Sequence, residues 1–213
     1  VAATHKTARH ATVVPGYSGG PAADLHGIPL TESEAIIVLP MIHLVIGGAR
    51  SGKSTYAERQ ARESGLAVTY IATCEARDQE MNERIAHHRD RRPAEWRTVE
   101  EPLRLADALL REAGVDTCLM VDCLTLWLTN ALLGDREEEI ERLLTVLPTL
   151  PGRILLVSNE VGWGIVPENA LARRFRDEQG RLNQRIAAIA DDVTLVAAGL
   201  PLRLKYTPPP PTP

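Results

Sequence analysis

The 213-residue sequence predicts an α/β fold in which a mostly parallel sheet carries helices on both faces. Three observations predict it. From residue 41 onward, short apolar runs alternate with longer amphipathic stretches. The run Gly47-Gly48-Ala49-Arg50-Ser51-Gly52-Lys53-Ser54 matches G-x-x-x-x-G-K-[ST] between an apolar run and a helix-forming stretch. The apolar runs end on polar residues, with the loop at 47–54, Thr73, Asp122 and Asn159 at the carboxyl ends where ligands of such sheets sit.

Residues 42–46 read as a buried strand, followed by a helix at about 53–64 that Gly65 closes. A second strand is predicted over 68–72. Helical spacing covers 79–91, with Pro93 as its stop, and 103–113, ending at Gly114. Residues 118–121 form a third strand, followed by helices over 125–133 and 137–147. A strand over 154–158, a long helix over 169–190 and strands over 193–197 and 202–205 complete the order. Residues 1–40 hold scattered Gly, Pro and Ala with little periodicity and no signal-peptide pattern. They are expected to be a disordered or mis-called extension, with Met41 as the natural start of a catalytic domain over 41–205. A proline-rich tail at 206–213 is expected to be disordered.

The loop carries the chemistry. Its glycines let backbone N–H groups curl around phosphate oxygens, and the following helix turns its positive end to the same anion. Lys53 is predicted to reach the β/γ-phosphates, and Ser54 to ligate Mg²⁺. Leu119-Met120-Val121-Asp122 is an apolar strand ending in a carboxylate, and beside Ser54 such an Asp holds the metal shell. A nucleoside triphosphate and Mg²⁺ are therefore expected.

Composition narrows the class. A net charge of −4 with no basic block does not suggest a nucleic-acid partner. No apolar run approaches a membrane span. Cys74, Cys118 and Cys123 are an odd number without C-x-x-C, which argues against a disulfide framework or zinc site and fits a reducing cytoplasm. Cys118 and Cys123 flank a strand and read as core residues.

Two further segments stand out. In the stretch from Met81 to His88, Met81, Ile85 and His88 share the apolar stripe, while His87 lies one residue round beside Glu83 and Arg84. Adjacent histidines on a helix do not share a face, so a joint metal site is not expected. A neutral imidazole can, however, attack phosphorus. The second segment runs from Val157 through Asn159, Glu160 and Gly162 to Pro167. It places an amide and a carboxylate where the terminal phosphate of a nucleotide would lie. Arg173, Arg174, Arg176, Arg181 and Arg185 on the next helix read as a solvated face paired with Asp177 and Glu178.

Several of these stretches occur together and in order: the loop at 47–54, Tyr70-Ile71-Ala72-Thr73, the segment from Arg84 through Trp96 to Thr98, Asn159 to Pro167, and Arg173 through Asn183 to Arg185. Over residues 41 to about 205 the chain resembles the bifunctional adenosylcobinamide kinase/adenosylcobinamide-phosphate guanylyltransferase family of cobalamin biosynthesis. The resemblance implies a RecA-like phosphate-loop fold and a trimer. It implies that a nucleoside triphosphate, ATP or GTP, phosphorylates a corrinoid alcohol. It further implies that GTP gives GMP to an enzyme histidine and then to the corrinoid phosphate. The family's histidine falls on His87, with His88 as the fallback. Its nucleotide contacts fall on Thr73, Cys74, Glu75, His88, Arg91, Arg92, Pro93, Ala94, Glu100 and Asp122, besides the loop.

Other classes fit less well. A plain small-molecule kinase would need no covalent step. A nucleotide switch would want Asn-Lys-x-Asp, and a transporter ATPase Leu-Ser-Gly-Gly; neither sequence occurs.

Overall fold

A computed structural model describes residues 41–75 and 93–207, together with two two-residue strands, β1 (Thr12–Val13) and β2 (Ile37–Val38), which pair antiparallel. The predicted helix over 79–91, with His87, His88, Arg91 and Arg92, lies outside the described residues, as does the tail beyond Thr207.

Along the chain, β3 (Met41–Gly47) leads to α1 (Lys53–Glu63), β4 (Ala67–Ala72) and β5 (Arg97–Glu100). Then come α2 (Leu105–Glu112), β6 (Thr117–Asp122), α3 (Leu124–Leu133) and α4 (Glu138–Val146) with a 3-10 turn, Leu147–Thr149. The chain closes with β7 (Arg153–Asn159), α5 (Ala170–Ile189), β8 (Asp192–Ala197) and β9 (Leu200–Tyr206).

Strands β3 to β9 form one sheet in the order β5-β4-β6-β7-β3-β8-β9. All neighbours run parallel except β8 and β9, which pair antiparallel. One strand, β7, separates the strand that feeds the glycine-rich loop from the strand that ends in Asp122. This is the RecA-like phosphate-loop arrangement, and the predicted fold class is borne out.

Because side chains alternate across a strand, the central strands divide their apolar residues between two cores. Ile42, Leu44 and Ile46 face Leu105, Leu109, Trp127, Leu143, Leu182 and Ile186 from α2 to α5. Val45, Met120, Leu155 and Val157 face Ala57 and Ala61 of α1, and Cys118 and Cys123 pack there too. Trp127 is fully buried, and its indole Nε1 donates to the Leu103 carbonyl at 2.7 Å, so its polar atom is satisfied.

The helix ends follow local chemistry. Asn169 caps α5, its Oδ1 accepting from the amides of Leu171 and Ala172 at 2.8 and 3.2 Å. Glu101 turns the chain ahead of α2 by accepting from the amides of Leu103 and Arg104 at 3.1 and 2.7 Å, which starts that helix later than its apolar pattern suggests. β5 was not predicted. Its four residues hold one apolar side chain, Val99, and lie at the sheet edge, where alternation is not required. The arginine face of α5 also differs in part from expectation. Arg176 and Arg181 pair with Asp177 and Glu178, but Arg174 reaches Glu137 and Arg185 grips both oxygens of Glu141 at 2.5 and 2.6 Å. Two of the cations thus tie α5 to α4 and its N-cap residue rather than to their own helix.

His43 gives the fold a pH dependence. It is 3% exposed on β3, with Nε2 hydrogen-bonded to Thr194 Oγ1 at 2.9 Å. Burial, followed by the positive charges of Arg153 and Arg203, lowers its pKa from 6.5 to about 4. Between those values the unfolded chain binds the proton and the folded chain does not. Stability therefore rises with pH across that window and is lost as pH falls through it, by about 3 kcal/mol for this group. Asp192, whose pKa burial raises, works with the opposite sign. Denaturant unfolding at pH 7 and pH 4.5 should show a large loss of stability in the wild type and a clearly smaller one in His43→Gln. Equal losses would contradict this assignment.

Candidate active site

The glycine-rich loop leaves β3 at Gly47 and closes into α1 at Gly52. Gly47 sits where a Cβ would come within 2.4 Å of the Val196 carbonyl oxygen and 2.6 Å of Ser51 Oγ, so only hydrogen fits there. Gly52 is the N-cap of α1 at φ 94°, in the left-handed region that glycine tolerates. The Gly199 amide donates to the Ser51 carbonyl at 2.8 Å and so ties the β8–β9 turn to the loop. Gly48, Ala49 and Arg50 are exposed. The first helical residues, Lys53 and Ser54, thus stand at the positive end of α1, facing the hollow of the loop.

Lys53 is 9% exposed, and its Nζ donates to the Gly48 carbonyl at 3.1 Å. Burial pulls its pKa down, while Asp122 opposes the shift. A partly desolvated cation held at a loop of backbone donors suits an anion.

Asp122 ends β6. Tyr70, two residues back along β4 from the partner of Asp122, reaches it: its hydroxyl donates to Asp122 Oδ2 at 2.8 Å. Two strand spacings separate β6 from β3, so the carboxylate stands ~10 Å across the sheet from the loop strand, a span that a metal with its water shell and a triphosphate can bridge. The peptide bond joining Asp122 to Cys123 is cis.

Thr73 is fully buried and stitches the ends of β4 and β6 together. Its Oγ1 donates to the Cys123 carbonyl at 2.7 Å and accepts from the Cys123 amide at 3.0 Å. Asn130 of α3 then donates to the Thr73 carbonyl at 3.0 Å. Thr73 is therefore occupied in holding the site's floor. Burial pushes the Cys123 thiol up to about 12 and also raises Cys118, so neither supplies a thiolate.

The predicted contacts Glu75, Pro93, Ala94 and Glu100 lie on or beside the ends of β4 and β5. Glu75 and Ala94 are exposed, and Pro93 opens the turn into β5, accepting from the Trp96 amide at 3.1 Å. Glu100 ends β5, four strand spacings from β3, which puts it ~19 Å along the same edge from the phosphate loop. Cys74 is half-buried next to Thr73.

On the other side, the Glu160 amide donates to the Gly47 carbonyl at 3.1 Å, and the Asn159 amide donates to Thr125 Oγ1 at 2.9 Å. Beneath them, Ser158, Gln179 and Asn183 form a buried polar group that the sequence reading left without a role. Its signal was available: Gln179 and Asn183 are amides at i and i+4 beside the buried Leu182 and Ile186. The loop that follows raises Trp163, Ile165 and Val166, exposed by 73%, 97% and 60%, at the mouth of the site.

Comparison with known proteins finds a matching family and similar chains. The sequence profile of the family described as "Cobinamide kinase / cobinamide phosphate guanyltransferase" matches residues 43–204. The bifunctional adenosylcobalamin biosynthesis protein CobP of Pseudomonas aeruginosa is 59% identical over 172 residues, covering 79% of this chain and 99% of that protein. CobU of Salmonella typhimurium, with the same description, is 43% identical over 182 residues, covering 78% of this chain and 100% of that one. Among solved structures, the flagellar accessory protein FlaH from Methanocaldococcus jannaschii aligns with a TM-score of 0.45 at 14% identity over 81% of each chain. The RadB recombinase aligns with a TM-score of 0.42 at 16% identity, over 74% of this chain and 75% of its own.

Proposed function

We propose, from the premise that the chain belongs to the cobinamide kinase / cobinamide phosphate guanyltransferase family, that it performs both reactions on adenosylcobinamide. In the first, a nucleoside triphosphate phosphorylates the alcohol of the aminopropanol arm. In the second, GMP passes from GTP through His87 to the corrinoid phosphate, giving adenosylcobinamide-GDP and pyrophosphate. The observation that carries this reading is the family match over 43–204, which spans a loop shaped for a triphosphate with a buried lysine in it.

The covalent route splits one displacement at phosphorus into two. An imidazole nitrogen of His87 forms a P–N bond to the α-phosphorus of GTP as the bond to pyrophosphate breaks. A phosphate oxygen of the corrinoid then forms the new P–O bond as the P–N bond breaks, and the histidine is restored. Lys53 faces the charge that grows on the departing pyrophosphate. His88, Arg91 and Arg92, with Glu75, Pro93, Ala94 and Glu100, are proposed to hold the nucleoside end, which suits the position of Glu100 far along the sheet edge from the loop.

Ser54 and Asp122 would hold Mg²⁺. Their donor set is hydroxyl and carboxylate oxygen, which fits a hard ion, and Tyr70 fixes one oxygen of Asp122 while the other is left for the metal's shell. Among the described residues no three His, Cys, Asp or Glu side chains gather into a metal cage, and an ion held through phosphates and water needs none. When bound, Mg²⁺ supplies charge neutralisation on the phosphate oxygens.

A homo-oligomer, a trimer by family resemblance, is part of the same reading. Leu200, Leu202, Leu204 and Tyr206 form an exposed apolar stripe on the edge strand β9, which a second copy could cover. No helix of the described residues is long and apolar enough to cross a membrane. Cysteines held in no disulfide suit the cytoplasm as the proposed location.

The test is a product assay. Purified protein with adenosylcobinamide, Mg²⁺, ATP and GTP should yield, by mass spectrometry, first the phosphorylated corrinoid and then its GDP derivative. Phosphorylated corrinoid that never advances to the GDP derivative would leave a plain kinase and overturn the second half.

A further inference from the structure

Phosphorylating an alcohol requires that its proton go somewhere, and the site holds two carboxylates that could take it. Asp122 lies across the sheet with one oxygen engaged by Tyr70. Glu160 is nearer the loop. It is the first residue after β7, the strand adjoining β3, and its amide donates to the Gly47 carbonyl at 3.1 Å. Parallel pairing sets Asn159 opposite Gly47, so the Glu160 carboxylate leaves the sheet at the level where the phosphate loop begins.

The carboxylate is held from beneath. Asn183 Nδ2 donates to Glu160 Oε1 at 3.0 Å and to the Asn159 carbonyl at 3.1 Å. The other end of that amide, Oδ1, accepts from Ser158 Oγ at 2.7 Å and from Gln179 Nε2 at 3.1 Å. Gln179 Nε2 also donates to Ser158 Oγ at 2.9 Å. Ser158 and Gln179 are fully buried and Asn183 is 5% exposed. The partners on Oδ1 fix which way the Asn183 amide points, and it presents its N–H groups to the strand end and to Glu160. Burying three polar side chains is costly, the more so because Gln179 Oε1 receives no hydrogen bond among the described residues, and apolar residues would pack the same space. What the arrangement adds is a fixed carboxylate. The second oxygen, Oε2, receives no hydrogen bond among the described residues, and Glu160 is half-buried at the mouth of the site.

We propose that Glu160 is the general base of the phosphoryl-transfer step and that Asn183 is its positioning residue; this rests on the kinase reading above. The alcohol oxygen forms a bond to the γ-phosphorus. The bond from that phosphorus to the β,γ-bridging oxygen breaks, its electron pair leaving with the nucleoside diphosphate. The alcohol proton passes to Glu160 Oε2 and from there to solvent. Guanylyl transfer to the corrinoid phosphate has no such demand, because the attacking phosphate oxygen is already ionised.

The test uses Glu160→Gln, which keeps the shape and retains an amide oxygen to accept from Asn183 Nδ2. Starting from adenosylcobinamide and ATP, its phosphoryl transfer should fall by about 10²-fold or more, while transfer of GMP to supplied adenosylcobinamide phosphate falls less than about threefold on the same scale of comparison. Asn183→Ala should lower kcat for phosphoryl transfer with little change in KM for ATP. Phosphorylation by Glu160→Gln within about threefold of wild type would overturn the assignment, as would an equal loss of both reactions, which would mark a structural role. Wild-type protein that guanylylates the corrinoid phosphate but never phosphorylates the alcohol would defeat the kinase reading itself, and the base with it.

Discussion

Lys53→Met is expected to depress phosphoryl and guanylyl transfer together, by about 10²- to 10³-fold in kcat, the loss seen when one preorganised donor to a developing negative charge is removed. The physical reason is local. Lys53 stands at the amino end of α1, 9% exposed, with its ammonium against the Gly48 carbonyl at 3.1 Å. Burial already disfavours its charge, as the downward shift of its pKa records. That penalty is set in advance, so the cation meets phosphate oxygens without first shedding water. Methionine retains most of the stem that packs in the cleft and removes only the charge. The variant should therefore unfold at the wild-type temperature or above it while losing turnover. Steady-state rates for the two reactions beside a thermal melt check this. A loss confined to one reaction would mean that the two triphosphates do not share the loop.

The second large effect concerns His87, the proposed guanylyl acceptor, which lies outside the described residues. If the P–N intermediate is obligatory, His87→Asn should reduce guanylyl transfer to the level of the uncatalysed background. It should leave phosphorylation of the corrinoid alcohol largely intact, because that step uses the loop and needs no imidazole. The split would separate two functions that share one site. His88→Asn is the companion variant, since the two imidazoles project to different sides of any helix they share.

Much of the fold was legible because its central strands are covered on both faces. Residues 42–46, 118–121 and 154–158 read as nearly continuous apolar runs, and they became β3, β6 and β7 with each end extended by one residue. The edge of the sheet was not legible. Arg97–Glu100 forms β5 with one apolar residue, since hydrogen bonds to β4 rather than burial define it. β9 was expected over 202–205 but runs Leu200–Tyr206, its leucines left exposed in this chain.

The site divides in the same way. The loop was legible because its chemistry is local: Gly47 must lack a Cβ and Gly52 must take a positive φ, so the residue types themselves carry the signal. The contacts between elements were not. Tyr70 meets Asp122 because the β4–β6 register sets Ala72 beside Asp122. Asn183 meets Glu160 because α5 lies across the end of β7. Such pairings depend on register and packing, which a single sequence does not display.

The most direct test of the account is to incubate purified protein with Mg²⁺ and GTP labelled at the α-phosphate, and then to denature it. The account predicts label that remains with the chain, is lost in acid, survives base and is absent from His87→Asn. Protein that binds GTP yet retains no label would contradict the guanylyl-histidine and, with it, the two-step transfer at the centre of the proposal.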